Sequence, residues 1–467
     1  MRIEKDCIGK LEIPDQALYG INAERARNNF SISKERIPSS IIKSYLKIKK
    51  AAALVNRKAG SLDNQKTQLI VEACDQLLLS ENFNAIIVPA IQGGAGTSTN
   101  MNINEVIANL GMEINDKRSI KKIYIHPNDD VNQSQSSNDT YPTAGKMAML
   151  EMLNPLKNSI KKLIKELDLK GEKYKKVVKI GRTQLQEAVP TTFGRSFKAY
   201  SSLFKQDLKK ILRIRKLLQV VNLGGTAIGT GINANRFYGN NIVKELNKIY
   251  NFSLKKADDL VYATQNTDIF TSFSGVLKTL AIDLSKFCND LRLLSSGPQY
   301  GLSEINLPKK QAGSSIMPNK VNPVIPEVVN QVAFEVIGKD VTVTLAAENG
   351  QLELNAFEPI MFRDILISEK YLNNAIKTLI KNCVKDLKVK IKYCRHEVEN
   401  SSITATILSP YLGYEKTTSL IKQSIIKHCP VKRLVKTQHL LSDSLINDLF
   451  SPESLANVSK TKGPANL

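Results

Sequence analysis

Apolar residues recur at three- and four-residue steps through long stretches of the chain. Between residues 270 and 294, Phe273, Val276, Leu280, Leu284, Phe287 and Leu291 form one such series with polar residues between them. That spacing lays a single apolar stripe along a helix. Stretches 143–170, 195–221, 324–346 and 366–393 carry the same period. Few segments alternate strictly, and β-branched clusters are short. The pattern predicts a mainly α-helical protein in which the central ~250 residues form a bundle of long helices. There is no internal repeat.

Polar, turn-forming stretches interrupt this period at 91–102 ("IQGGAGTSTNMN"), 126–142 ("HPNDDVNQSQSSNDTYP"), 181–195 ("GRTQLQEAVPTTFGR"), 222–233 ("NLGGTAIGTGIN") and 297–323. Each adjoins a helical stretch. Long polar loops on a regular scaffold are where binding and catalytic groups concentrate.

Composition narrows the classes. The chain has 467 residues, 42% hydrophobic and 24% charged, which suits a large soluble core. It contains no apolar run of the ~20 residues a membrane span needs, and its first residues lack a signal-peptide core. A cytoplasmic protein without membrane partners is the expectation. Six cysteines and four histidines are scattered outside any metal-ligand spacing, so free thiols and no zinc site are expected. The net charge of +22 raises a nucleic-acid reading. The lysines, however, are interleaved with Glu and Asp along helical stretches, and no nucleic-acid motif accompanies them. A solvated basic surface is expected, able to steer a dianionic substrate, with no nucleic-acid partner.

The glycine-rich "GGAGTST" and "GTGIN" lack the G-K-[ST] ending or the strand context of a nucleotide site. What the remaining loops share is hydroxyls, amides and backbone N–H groups with a single lysine. Thr97, Ser136, Ser137, Asn138 and Thr183 are neutral donors suited to carboxylate oxygens, and Lys320 adds one positive charge. Asn322-Pro323 reads as an N-cap followed by a first-turn proline, aiming the positive end of a helix at the same place. Each residue alone is more often a cap or turn former than a ligand. Together they suit a small di-acid, with no organic cofactor, redox or phosphoryl chemistry implied.

The stretch "GSSIMPNKVNP" (313–323) resembles the signature loop of the aspartase/fumarase superfamily, whose members eliminate a group β to a carboxylate and release fumarate. "GTSTNMNINEVIAN" (96–109), "HPNDDVNQSQSSND" (126–139), "GRTQLQEAVP" (181–190), "NLGGTAIGTGIN" (222–233) and "NDLRLLSSGP" (289–298) resemble its other blocks, in the family's order. The likeness runs from "IPDQALYG" (13–20) onward. It implies a small N-terminal domain (1–138), a central helical domain (139–393) and a small C-terminal domain (394–467). It further implies a homotetramer with a twenty-helix core, in which each active site draws loops from three subunits.

By the same resemblance Ser314 is the general base and Lys320 stabilises its alkoxide. Thr97, Ser136, Ser137 and the Ser315 region hold one carboxylate, and Lys320 with Asn322 grips a carboxylate. Asn138 and Thr183 fall near the leaving group or the second carboxylate, and Glu327 is a supporting acid or merely a helix N-terminal charge. Gln184 stands where fumarases carry histidine. With "GLSEINLP" (301–308) and "GQLELNAFEP" (350–359), it points to elimination of ammonia from L-aspartate. The 126–139 block has the wording of the fumarase branch, including a second carboxylate site around His126, Asn128 and Asp129, so hydration of fumarate is the alternative. A third reading is a non-catalytic structural or nucleic-acid-binding homologue, which would predict a damaged loop. Divalent-cation activation occurs in some relatives, but no metal ligands are specified here.

Overall fold

The computed structural model describes residues 1–119 and 121–456. A hairpin of β1 (Arg2–Lys5) and β2 (Lys10–Ile13) opens the chain. Then come α1 (Ile21–Asn29), α2 (Ser39–Lys58), α3 (Asn64–Ser80), α4 (Thr97–Asp116) and the long α5 (Ser137–Lys173). A second hairpin, β3 (Val178–Thr183) and β4 (Gln186–Thr192), leads into α6 (Phe193–Leu218), β5 (Val220–Val221), α7 (Arg236–Tyr250), β6 (Lys255–Lys256), α8 (Leu260–Gln265) and α9 (Asp268–Leu294). After β7 (Ile305–Asn306) come α10 (Val324–Glu348), α11 (Glu358–Leu379), β8 (Lys388–Val389) and a series of shorter helices to Ala456. Among the described residues all four sheets are two-stranded and five helices have 22 residues or more, so the protein is mainly α-helical.

Two compact units divide the chain, and their borders cut through the long helices. The first comprises Met1–Asn158, Lys209–Ala281 and Ala333–Asn373. Aromatic rings fill its core. Tyr141 stacks on Phe362 at 5.2 Å, and Phe270 meets the same ring edge-on at 4.7 Å. Such offset and edge contacts add to the area the rings bury. Glycines let the backbone approach these rings: a Cβ on Gly145 would lie 2.5 Å from Phe362, and one on Gly96 would lie 2.3 Å from Tyr141.

The second unit comprises Ser159–Leu208, Ile282–Val332 and Asn374–Leu467, the last eleven residues of which lie outside the described chain. Val178 and Ile180 of β3 join Val398, Ile403, Leu408, Leu420, Val431 and Leu434 in one apolar cluster, so the hairpin is seated on the C-terminal helices.

Four of the five periodic stretches form single helices close to the expected bounds. The stretch 366–393 does not. Its helix α11 starts earlier, ends at Leu379 and passes through a π-turn at Ile380–Val384. Lys388–Val389 then pair with Ile305–Asn306 as strands. The turn-rich stretch 181–195 holds the tip and β4 of the β3–β4 hairpin, with no strict apolar alternation to announce it.

Candidate active site

In the first unit the candidate residues cluster at the N-termini of α4 and α5. Gly96, at φ +81°, caps α4 and leaves Thr97 exposed on its first turn. Ser136 and Asp139 form a reciprocal cap on α5. The Asn138 N–H donates to Ser136 Oγ at 3.2 Å, and the Ser136 N–H donates to Asp139 Oδ1 at 3.0 Å. Ser137 Oγ accepts from Asn100 Nδ2 at 3.0 Å. In these contacts both serine hydroxyls act as acceptors, so each keeps its O–H proton for a ligand. Asn138 Nδ2 donates to the Ala227 carbonyl at 2.7 Å, tying the cap to the 222–231 loop.

Behind this surface lies a buried polar chain. Lys49 Nζ donates to Asn132 Oδ1 at 2.9 Å, and Asn100 Nδ2 donates to the same oxygen at 3.1 Å while also reaching Ser137. Burial pulls the Lys49 ammonium down to about 7, against the charge of Asp139, which favours the protonated form. Burial also pushes the Asp139 carboxyl up to about 6, although N–H donors from Ser136, Gly224 and Thr226 oppose the shift. The arrangement sets a cation-bearing network one hydrogen bond behind Ser137.

The second unit carries the other candidates. Thr183 and Gln184 are exposed at the tip of the β3–β4 hairpin, where Thr183 pairs with Gln186 across a two-residue turn. Both turn residues lie in the left-handed region, Gln184 at φ +53° and Leu185 at φ +66°. Such a turn matches the strand twist but normally selects Gly, Asn or Asp. In the 313–322 loop the Gly313 N–H donates to the Lys320 carbonyl at 2.8 Å, closing a neck. Ser314 Oγ accepts two backbone N–H groups, from Ile316 at 3.1 Å and Met317 at 3.0 Å. Paired N–H donors on one oxygen are the arrangement that stabilises an oxyanion. Ser315 and Lys320 are exposed on the same loop, and Glu327 is the acidic residue in the first turn of α10.

Asn322 differs from its expected role. Helix α10 begins at Val324, and the Asn322 side chain donates from Nδ2 to the Gly313 carbonyl at 3.2 Å. The loop neck needs a donor there, whereas capping would have used the amide oxygen. Asn319 sits at φ +65°, a conformation that asparagine reaches more readily than most residues with a side chain.

Neither unit contains all the candidate residues. Three further residues, Lys49, Asn100 and Asn132, escape the sequence reading because each looks like an ordinary helix or loop position. Asn100 stood inside the "GTSTNMN" block and could have been singled out as an amide on a helix's first turn.

This chain matches the Lyase family over residues 9–338. It belongs to that family. Aspartate ammonia-lyase of Helicobacter pylori is 46% identical to this lyase over 457 residues, which cover 97% of this chain and 98% of the relative. Among solved structures, fumarate lyase:delta crystallin from Brucella melitensis superposes with a TM-score of 0.93 at 44% identity, covering 97% and 99% of the two chains. The class II fumarase from Schistosoma mansoni superposes with a TM-score of 0.91 at 31% identity, covering 97% and 99%.

Proposed function

We propose that the chain is an aspartate ammonia-lyase that converts L-aspartate reversibly to fumarate and ammonia. The observation that carries the chemistry is the pair of backbone N–H groups on Ser314 Oγ. They lower the cost of an alkoxide, which serine needs to act as a base. Ser314 removes the Cβ proton, and the electron pair moves into the adjacent carboxylate as an enediolate. Lys320 and Asn322, with donors from Thr97, Ser136, Ser137 and the Ser315 region, hold the carboxylates as charge builds. Gln184 stands on the leaving-group side, and Thr183 and Asn138 lie near the leaving group or the second carboxylate; the protonated amino group departs as ammonia when the enediolate collapses. No organic cofactor takes part.

Gln184 and the 46% identity to a named aspartate ammonia-lyase favour ammonia over water as the leaving group. The competing reading, fumarate hydratase, rests on the 126–139 block. There the His126 N–H donates to Asp130 Oδ2 at 2.7 Å and Lys66 pairs with Asp130 at 2.7 Å. Supplying purified protein with L-aspartate and L-malate separately, and following fumarate by its ultraviolet absorbance, separates the two. Turnover of malate alone overturns the proposal.

The same reading makes the enzyme a cytoplasmic homotetramer whose sites take loops from three subunits, with domains at 1–138, 139–393 and 394–467. The apolar character of α10 supports it. Val329, Val336 and Val343 are buried within the chain, while Val328, Phe334, Val341 and Leu345 are exposed. A helix apolar on both faces is expected to be covered on both.

A further inference from the structure

We infer that Lys49, Asn132 and Asn100 are positioning residues that fix the direction in which the Ser137 hydroxyl donates, turning its proton toward a substrate carboxylate. This rests on the reading in which Ser137 helps to hold that carboxylate.

The four residues come from separate parts of one unit. Lys49 lies on α2, Asn100 on α4, Asn132 in the loop before α5, and Ser137 on the first turn of α5. Lys49 is fully buried and Asn100 is 1% exposed, whereas Ser137 keeps 8%.

Hydrogen bonds run one way along this chain because its first member can only donate. An ammonium has three donors and no acceptor, and the charge of Asp139 favours that form against burial. Lys49 Nζ donates to Asn132 Oδ1 at 2.9 Å, so that amide presents its oxygen to the lysine. Its nitrogen is engaged elsewhere, donating to the Gln135 carbonyl at 3.2 Å. Asn100 therefore faces an oxygen already fixed as an acceptor and presents its nitrogen, with Nδ2 donating to Asn132 Oδ1 at 3.1 Å. The second hydrogen on the same nitrogen goes to Ser137 Oγ at 3.0 Å. A hydroxyl has a single proton. With its oxygen accepting from Asn100, Ser137 turns that proton away from the chain.

Asn100 shows what this direction costs. Its Oδ1 is buried without a hydrogen-bond partner among the described residues, which is unfavourable. Flipping the amide would let that oxygen take the Ser137 proton, but would bring it against Asn132 Oδ1, which Lys49 holds in place. Removing the ammonium releases Asn132, and through it Asn100, to rotate. Ser137 then donates inward and the carboxylate loses one hydrogen bond.

Fumarate is common to the ammonia-lyase and hydratase readings, so its affinity tests the chain under either. Its dissociation constant is measured by calorimetry on the full-length wild type and on Lys49→Met, Asn100→Asp and Ser137→Ala, with far-UV circular dichroism recorded for each. A pH of about 6 keeps Lys49 protonated. Lys49→Met removes the donor that sets the direction, and Asn100→Asp replaces the donor to Ser137 by an acceptor; either serves if the other does not fold. Ser137→Ala should weaken fumarate binding about tenfold, as the loss of one hydrogen bond to a charged group does. Lys49→Met and Asn100→Asp should each weaken it by a similar factor. Added to Ser137→Ala, either should change it by less than about twofold, since residues that act through one group are not additive. Losses that add to that of Ser137→Ala, or single variants that bind fumarate as the wild type does, would mean a network that only supports the fold and would overturn the inference. Ser137→Ala with unchanged affinity removes Ser137 from the carboxylate, and the inference with it. A wild type that yields fumarate from malate alone overturns the ammonia-lyase reading, and the same cycle on fumarate then decides this inference by itself.

Discussion

At the scale of single residues, the proposed chemistry concentrates on Ser314. Its oxygen receives two N–H groups from its own loop, so the charge stabilisation is built into eleven consecutive residues. Ser314→Ala removes the proposed base and leaves the neck between Gly313 and Lys320 intact. Turnover of L-aspartate should fall by roughly 10²–10⁴-fold, the usual contribution of a positioned base, with little change in KM. Steady-state kinetics beside an unchanged circular-dichroism spectrum checks it, and full activity would remove Ser314 from the mechanism. Candidates of this kind were legible because their roles are local: a loop's hydroxyl, a cap, a lysine at a fixed offset. Lys49 and Asn132 were not, because what defines each is a partner far away along the chain. The Lys49–Asn132 bond spans 83 residues.

Among the elements, helix period located the long helices because each buries a continuous apolar stripe over many turns. Where the stripe continued but the backbone did not, as at Ile380–Val384, the pattern overran the helix. The β3–β4 hairpin was missed because its tip lacks the Gly or Asn that normally announces such a turn. The packing of α4 on α5 makes a sharper test. Gly96 caps α4 at φ +81° with the Tyr141 ring where a Cβ would be. Gly96→Ala should cost about 1–2 kcal/mol for the left-handed conformation and about 1–3 kcal/mol for crowding the ring. The shift of the Tyr141 ring would also disturb the turn that presents Thr97. Denaturant unfolding should show the loss, and KM for aspartate should rise. A variant with wild-type stability would mean that the ring moves aside without cost.

For the whole molecule, buried acids make stability depend on pH, and Glu369 is one of them. Glu369 on α11 is fully buried, and neither carboxyl oxygen has a hydrogen-bond partner among the described residues. Burial pushes its pKa well above the usual carboxylate range. The folded protein thus keeps a proton that the unfolded chain releases near 4.5. The stability of the neutral form is complete below that pH and is lost as pH rises, at about 1.4 kcal/mol per unit, until the folded group itself ionises. Glu369→Met removes this residue's share of the dependence, so its Tm should exceed that of the wild type at pH 7 and the gap should narrow toward pH 5. Assembly is tested on α10. Phe334 is 62% exposed within the chain, on a helix that also exposes Val341 and Leu345. If that face is covered by other subunits, Phe334→Glu places an unpaired charge in an apolar interface, which is strongly unfavourable. Light scattering coupled to size exclusion should then show a species smaller than the tetramer. Because each proposed site needs loops from three subunits, activity should disappear with the tetramer while far-UV circular dichroism stays unchanged. A Phe334→Glu variant that remains tetrameric and active would place this face in solvent, and with it would go the argument that the chain's separated loops meet by assembly.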